Sequence, residues 1–307
     1  MKKLPILILF FVTAALVAQC TSREFFSAES IPKGTLAFVA NPSGNWELFI
    51  VSAGQTTPIQ LTNTPLDERT PAISPDGMQI AYVTSDGSLW IMPLATKMAQ
   101  QLAGPPGHYG YPAWTKDGSG LVYTVYTFNP PNEDADLFLY SFKDKKQRLL
   151  LQQTGPQDFP ALSPSGERLA YMSSVATLVP GFGATVTQQL WIASLKDGKP
   201  QQLLWSTSHD TRPAWSPDGK WLAFSSDRNG NPDIWIVDAD QHEAPMQLSN
   251  GPGAKTDPTF SPDGNQIAYV SNASGRSQLM VIDVKTRQSR PLSLSSRSTD
   301  FRDPSWR

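Results

Sequence analysis

Six short polar clusters in the 307-residue chain could do chemistry together: Asp67-Glu68-Arg69, His108-Tyr109, Gln157-Asp158, His209-Asp210-Thr211-Arg212, Lys255-Thr256-Asp257, and Asp300 with Arg302-Asp303. Each stands just ahead of a proline, at Pro71, Pro112, Pro160, Pro213, Pro258 and Pro304. Acids and cations at equivalent points of a repeating unit suit two roles. One is a binding rim whose polar groups converge on a ligand; the other is an ion-pair network that ties neighbouring units together. His108 and His209 both lie four residues before their proline, and with Asp210 they make a weaker set for a metal ion. The chain has three histidines, no Gly-x-Ser-x-Gly, no His-Glu-x-x-His and no glycine-rich phosphate loop, so no catalytic residue, metal site or cofactor is assigned.

The elements that must hold these clusters are written repeatedly. The prolines are 41, 48, 53, 45 and 46 residues apart, a period in the range of propeller blades. Arg212-Pro-Ala-Trp-Ser-Pro-Asp-Gly-Lys-Trp-Leu-Ala-Phe-Ser225 is the fullest copy, matched by Pro71-Ala-Ile-Ser-Pro-Asp-Gly77 before Ile80-Ala-Tyr-Val83 and by Pro258-Thr-Phe-Ser-Pro-Asp-Gly264 before Ile267-Ala-Tyr-Val270. A short apolar strand, a Ser-Pro-Asp-Gly turn and a second strand make a hairpin, because proline presets the turn and glycine ends it. A third run follows, as in Glu47-Leu-Phe-Ile-Val51 and Asp233-Ile-Trp-Ile-Val237, then a weaker fourth such as Gln201-Gln-Leu-Leu204. Four strands in meander order form one blade, which must pack on its neighbours to bury both faces.

Six second strands, at 36–39, 80–83, 121–124, 169–172, 222–225 and 267–270, count six blades over 34–307. Leu36-Ala-Phe-Val39 lacks a first strand, and Asp303-Pro-Ser-Trp-Arg307 is a first strand with nothing after it. The expectation is an all-β, six-bladed β-propeller in which the C-terminal strand completes the N-terminal blade and removes an exposed edge.

Two links between second and third strands are long, Tyr126–Ala135 and Ser173–Gln188. The second carries Leu178, Val179, Phe182 and Val186, which suits a self-packed loop, an extended hairpin or an apolar partner loop. Asp76, Asp117, Asp218 and Asp263 fall one to a turn, too dispersed for the six to eight oxygens of a calcium site, so bonding back to the turn is expected. Trp114, Trp215 and Trp306 recur at one strand position and Trp90, Trp191 and Trp235 at another, as inter-blade core would.

Residues 1–19 read differently. Lys2 and Lys3 precede an apolar run from Leu4 to Val17, long enough for a signal peptide and short for a membrane span. The lone cysteine, Cys20, follows directly, and Val17-Ala-Gln-Cys20 resembles the lipobox of bacterial lipoproteins, which implies cleavage before Cys20 and its lipidation. Residues 20–33 then form the lipidated cysteine and a polar tether. Ser22 in place of an aspartate points to outer-membrane retention under the sorting rule of some bacteria with two membranes. The formal net charge is −2 and the 25 basic residues are scattered, which argues against a nucleic-acid partner.

The Pro-x-Trp-Ser-Pro-Asp-Gly and Ile-Ala-Tyr-Val motifs, with Ser226-Asp-Arg-Asn-Gly-Asn-Pro-Asp-Ile-Trp235, resemble the TolB-type propeller repeat over nearly all of 34–307. The repeat is shared by TolB of the Tol-Pal envelope system, by propeller domains of serine peptidases and by other exported proteins, so it implies fold before function. With only a tether ahead of Gly34, the expected protein is a lipid-anchored relative without the α/β domain that precedes the TolB propeller. Its expected role is a non-enzymatic, periplasm-facing scaffold that binds an envelope protein or peptide at the propeller face and meets the membrane through the lipid alone. A small-ligand or glycan-binding propeller and a propeller lyase or hydrolase are the alternatives. The candidate rim comprises Asp67, Glu68, Arg69, His108, Tyr109, Asp158, His209, Asp210, Arg212, Lys255, Asp257, Asp300 and Arg302.

Overall fold

A computed structural model describes residues 30–42, 44–104, 107–129, 132–151, 153–179, 183–295 and 300–307. The leader, Cys20 and most of the tether lie outside the described residues. So do Phe182 and the side chains of Leu178 and Val179. Among the described residues no helix is long and apolar enough to cross a membrane.

Six four-stranded antiparallel sheets radiate from one axis. Blade 1 is β1 (Leu36–Ala40), β2 (Glu47–Val51) and β3 (Ile59–Gln60), completed by the last strand of the chain. Blade 2 is β4 (Glu68–Ile73), β5 (Gln79–Thr84), β6 (Leu89–Pro93) and β7 (Gln100–Ala103). Blade 3 is β8 (His108–Trp114), β9 (Gly120–Asn129), β10 (Asn132–Ser141) and β11 (Lys146–Leu149). Blade 4 is β12 (Gln157–Leu162), β13 (Arg168–Val179), β14 (Gly183–Ser194) and β15 (Pro200–Gln202). Blade 5 is β16 (Asp210–Trp215), β17 (Trp221–Ser226), β18 (Asp233–Asp238) and β19 (Met246–Gln247). Blade 6 is β20 (Lys255–Phe260), β21 (Gln266–Ser271), β22 (Gln278–Asp283) and β23 (Ser289–Pro291), and β24 (Phe301–Trp306) closes the circle. In each blade the proline-led strand is innermost.

The turns form as their residues dictate. In Ser74-Pro-Asp-Gly77 the serine hydroxyl donates to Asp76 at 2.6 Å, the Met78 amide donates to the same carboxylate at 2.9 Å, and Gly77 takes a φ of 73°. Ser216 with Asp218 and Ser261 with Asp263 repeat the short bond at 2.6 Å, so these aspartates serve the turn.

Alternation along the second and third strands sends side chains to both faces of every blade, and each face packs on the next blade. Ala37 and Val39 meet Ile80 and Tyr82 between blades 1 and 2, for example, while Leu36 and Phe38 turn the other way to meet Ala268 and Val270 of blade 6. Tryptophans stitch the same boundaries. The Trp114 and Trp215 indoles donate at 2.9 Å to the Ala72 and Ala161 carbonyls of the preceding blades.

Closure follows the expected pairing, with Leu36 opposite Trp306 and Ala40 opposite Phe301. The Trp306 indole donates to the Gly34 carbonyl at 3.2 Å, and Arg307 donates to the carbonyls of Ile31 and Pro75. The two long links are extended hairpins, paired out to Asn129 with Asn132 and to Val179 with Gly183. β8 starts opposite Tyr126 and β12 opposite Ser173, so both hairpins rise beyond the face on which the inner strands begin.

Candidate functional site

The residue before each repeat proline does what the rest of the inner strand does not. Thr70, Tyr111, Phe159, Arg212, Asp257 and Asp303 have φ values of 48°, 48°, 54°, 56°, 57° and 49°. None is glycine, and a proline normally drives its predecessor to extended backbone, so each holds strain of order 1–3 kcal/mol. The strain coincides with a break in the ladder. Pairing between first and second strands shifts register between Arg69 and Ala72, Gly110 and Ala113, Asp158 and Ala161, Thr211 and Ala214, and Thr256 and Thr259. A bulge of this kind re-aims one side chain. Here the six re-aimed residues and their prolines line one axial cavity of about 140 Å³.

The hexad is uneven around the ring. Tyr111 and Phe159 stand side by side, ring centroids 4.3 Å apart, and the Arg212 guanidinium lies 4.8 Å from the Phe159 centroid and 5.4 Å from that of Tyr111. Arg212 also pairs with Asp257 and lies 3.7 Å from Asp303. Asp303 in turn accepts the Thr70 amide at 3.1 Å. The Thr70 hydroxyl is buried with no hydrogen-bond partner among the described residues.

Electrostatics follow from that crowding. Burial opposes the charge on Arg212, but Asp257, Tyr111, Asp303 and Asp158 together push its pKa up and keep it cationic. Burial and the Asp257 carboxylate push Asp303 up to about 6, against the pull of Arg212. Burial also raises Asp158, behind Phe159, although Thr124 at 2.8 Å, Tyr126 at 2.8 Å and the Phe159 amide at 2.8 Å all donate to it. Two ring carboxylates and a third behind them thus face one guanidinium. The arrangement favours an incoming cation with an apolar stem, which the aromatic pair can cover.

Of the thirteen rim residues, Arg212 and Asp257 line this cavity and Asp158 backs it. Glu68, Asp210 and Lys255 lie three residues before their proline and are buried at the blade junctions. Asp210 pairs with Arg228 at 2.8 Å and Lys255 with Asp233 at 3.0 Å. Tyr109 packs edge-on against Tyr123. Asp67 accepts the Trp46 amide at 3.0 Å and Asp300 the Ser277 amide at 2.8 Å, while Arg302 lies over Trp46 at 4.2 Å. Arg69, His108 and His209 are exposed.

The weaker metal set does not assemble, because Asp210 is buried against Arg228 while His108 is exposed and packs on the edge of Phe128. Among the described residues, three ligating side chains come together at half-buried Asp238 and exposed Asp240 and His242, where Arg168 already holds Asp240 at 2.8 Å. Val186, on the extended hairpin of blade 4, is 62 % exposed. Sequence reading passed over Thr70, Tyr111 and Phe159. The signal that marks them is their place directly before the repeat proline.

No family model matches the chain. A TolB homolog of Chlorobium chlorochromatii is 29 % identical over 155 residues, 49 % of this chain and 34 % of that protein. The uncharacterized peptidase YuxL of Bacillus subtilis is 28 % identical over 160 residues, 51 % of this chain and 21 % of that one. The matches thus span about a third or less of these relatives. Among solved structures, TolB from Acinetobacter baumannii superposes with a TM-score of 0.74 at 20 % identity, over 89 % of this chain and 66 % of that one. An oligogalacturonate lyase in complex with manganese gives 0.61 at 18 % identity, over 86 % and 75 %. These likenesses, with the six sheets and their closure, give the chain a TolB-like β-propeller fold.

Proposed function

We propose that this propeller is a non-enzymatic binding scaffold of the bacterial cell envelope, which takes a basic group of a partner polypeptide into the axial pocket. The observation that carries the reading is the hexad itself. Six strained residues are held at one point, with the aromatic pair Tyr111 and Phe159 facing Asp257 and Asp303 across Arg212. Strain and a raised carboxylate gathered in a concavity are hallmarks of a functional site. A volume of about 140 Å³ suits one side chain or an amino terminus and is small for a folded substrate. The extended hairpins of blades 3 and 4 would flank an extended segment entering from that face.

The test is photo-crosslinking from a benzophenone residue at position 69, exposed beside the ring and outside the six residues that line it, in intact cells. One discrete adduct is expected with the native ring, and at least a tenfold loss with Asp257→Ala or Asp303→Asn. An adduct of the same yield in both variants, or none in the native ring, overturns the reading. Delivery rests on the leader and Cys20: fatty-acid labelling that survives Cys20→Ser removes the anchor from the proposal.

A second reading, a small ligand in the same pocket, is favoured by the size of the cavity alone. It predicts no polypeptide adduct at position 69.

A further inference from the structure

Buried polar groups at the blade junctions are neutralised or capped in different ways. At three of them the loop ahead of the inner strand turns two carbonyls inward, and one side-chain nitrogen meets both. Between blades 5 and 6, Lys255 Nζ donates to the Gly251 and Gly253 carbonyls at 2.5 and 3.0 Å and pairs with Asp233 at 3.0 Å. Between blades 4 and 5, Gln189 Nε2 donates to the Ser206 and Ser208 carbonyls at 2.7 and 3.1 Å. Between blades 3 and 4, Gln157 Nε2 donates to the carbonyls of Gln153 and Gly155.

Between blades 1 and 2 the equivalents of Asp233 and Lys255 are Glu47 and Glu68. Both are fully buried. Side-chain nitrogens do meet the loop carbonyls, Asn45 Nδ2 that of Thr64 and Gln60 Nε2 that of Thr62 at 2.7 Å, but among the described residues no cation pairs with either carboxylate. Glu47 Oε1 accepts from the Thr64 amide at 3.0 Å and Asn45 at 3.3 Å, while Glu47 Oε2 is buried with no partner among the described residues. Glu68 accepts from the Thr62 hydroxyl at 3.0 Å and the Thr64 hydroxyl at 2.7 Å. That second hydroxyl has one proton and also lies 3.1 Å from the Leu66 carbonyl.

Burying two carboxylates costs several kcal/mol each without a paired cation, and the amide, carboxamide and two hydroxyls that donate to them here are all neutral.

We propose that Glu47 and Glu68, with the Thr62 and Thr64 hydroxyls and the Leu66 carbonyl, hold a divalent metal cation, Ca²⁺ by ligand type, in the place that the Lys255 ammonium fills at the equivalent junction. The donor set is all oxygen, carries two negative charges and mixes carboxylate, hydroxyl and carbonyl, which is the chemistry of hard cations. Asn45 and Thr64 at its outer edge are only half-buried, which leaves the ion a way in. The site is remote from the axial hexad in role. It clamps the junction between the first two blades.

The test uses the full chain stripped with EDTA at pH 7.5 and titrated with Ca²⁺ alone, then with Tb³⁺, whose emission Trp46 and Tyr82 can sensitise. At a hundredfold excess over Kd, Ca²⁺ is expected to raise Tm by about 5 °C. Tb³⁺ emission should saturate at one equivalent and be displaced by Ca²⁺. Glu47→Gln should lose both responses. Glu68→Lys carries its own ammonium, as Lys255 does, so it should fold without metal and ignore Ca²⁺. A native chain whose Tm follows pH but not Ca²⁺ overturns the proposal, since a shared proton then closes the pair. A calcium response that persists in Glu68→Lys overturns it too, by placing the ion elsewhere.

Discussion

Replacing Asp303 with asparagine should make the protein more stable at pH 8 and leave it unchanged at pH 4. Asp303 is raised from the ordinary aspartate value of 3.8 to about 6 by burial and by Asp257, against the opposing pull of Arg212 and the Thr70 amide. At about 1.4 kcal/mol for each tenfold change in proton affinity, that rise is a penalty of about 3 kcal/mol on the folded state once the group is ionised. Below pH 4 the carboxyl is protonated in both states and the penalty vanishes. As pH climbs from 4 to 6 the unfolded chain releases the proton more readily than the folded one, so stability falls, and above 6 the full penalty stands. Asparagine stands in for the neutral acid and can still accept the Thr70 amide, now 3.1 Å from Asp303. The expected gain at pH 8 is about 1–3 kcal/mol, or roughly 2–6 °C in Tm for a domain of this size. Melting curves followed by circular dichroism at pH 8 and pH 4 measure it. A loss of stability at pH 8, or an equal gain at both pH values, would refute the electrostatic account of the ring. Coupled with weaker crosslinking, the gain would mark Asp303 as a residue kept for binding at the expense of stability.

Lys255→Met should cost about 3–5 kcal/mol, because it strands the buried Asp233 carboxylate and two loop carbonyls, and adding Asp233→Asn should recover at least half in a denaturant-melt cycle. Near-neutral melts for the single variant would mean that water reaches the pair. Deleting 301–307 removes β24 and bares β1, so the shortened chain should self-associate in sedimentation runs, and a synthetic 300–307 peptide should restore the monomer. A truncated chain that stays monomeric without the peptide would show that another segment covers the edge.

The blade count and closure were legible because each depends on a repeated local chemistry: the Ser-Pro-Asp-Gly turn, the apolar second strand, and a missing strand at one end matched by a surplus strand at the other. The inner ring was legible only in part. Counting alternate residues places Glu68, Asp210 and Lys255 with Arg212 and Asp257 at the mouth. The bulge before each proline instead separates them, sending the residue directly before the proline to the axis and the one two places earlier into a junction. Tyr111 and Phe159 carried no charge to draw notice, so half of the aromatic and polar balance of the pocket was invisible without coordinates. The junction acids Glu47 and Glu68 gave no linear signal either, since 20 residues of meander separate two side chains that only the packing of blades brings together.

Each blade contributes one variable residue and its proline to the hub, through a backbone kink clamped on one side by that proline and on the other by the ladder. The spokes and the hub are therefore edited independently. A lineage can rewrite what the wheel grips one letter at a time, with six letters to the word, while the tryptophan stitches and the apolar seams keep the rim true. Wheels of nearly the same build can then carry hubs with nothing in common.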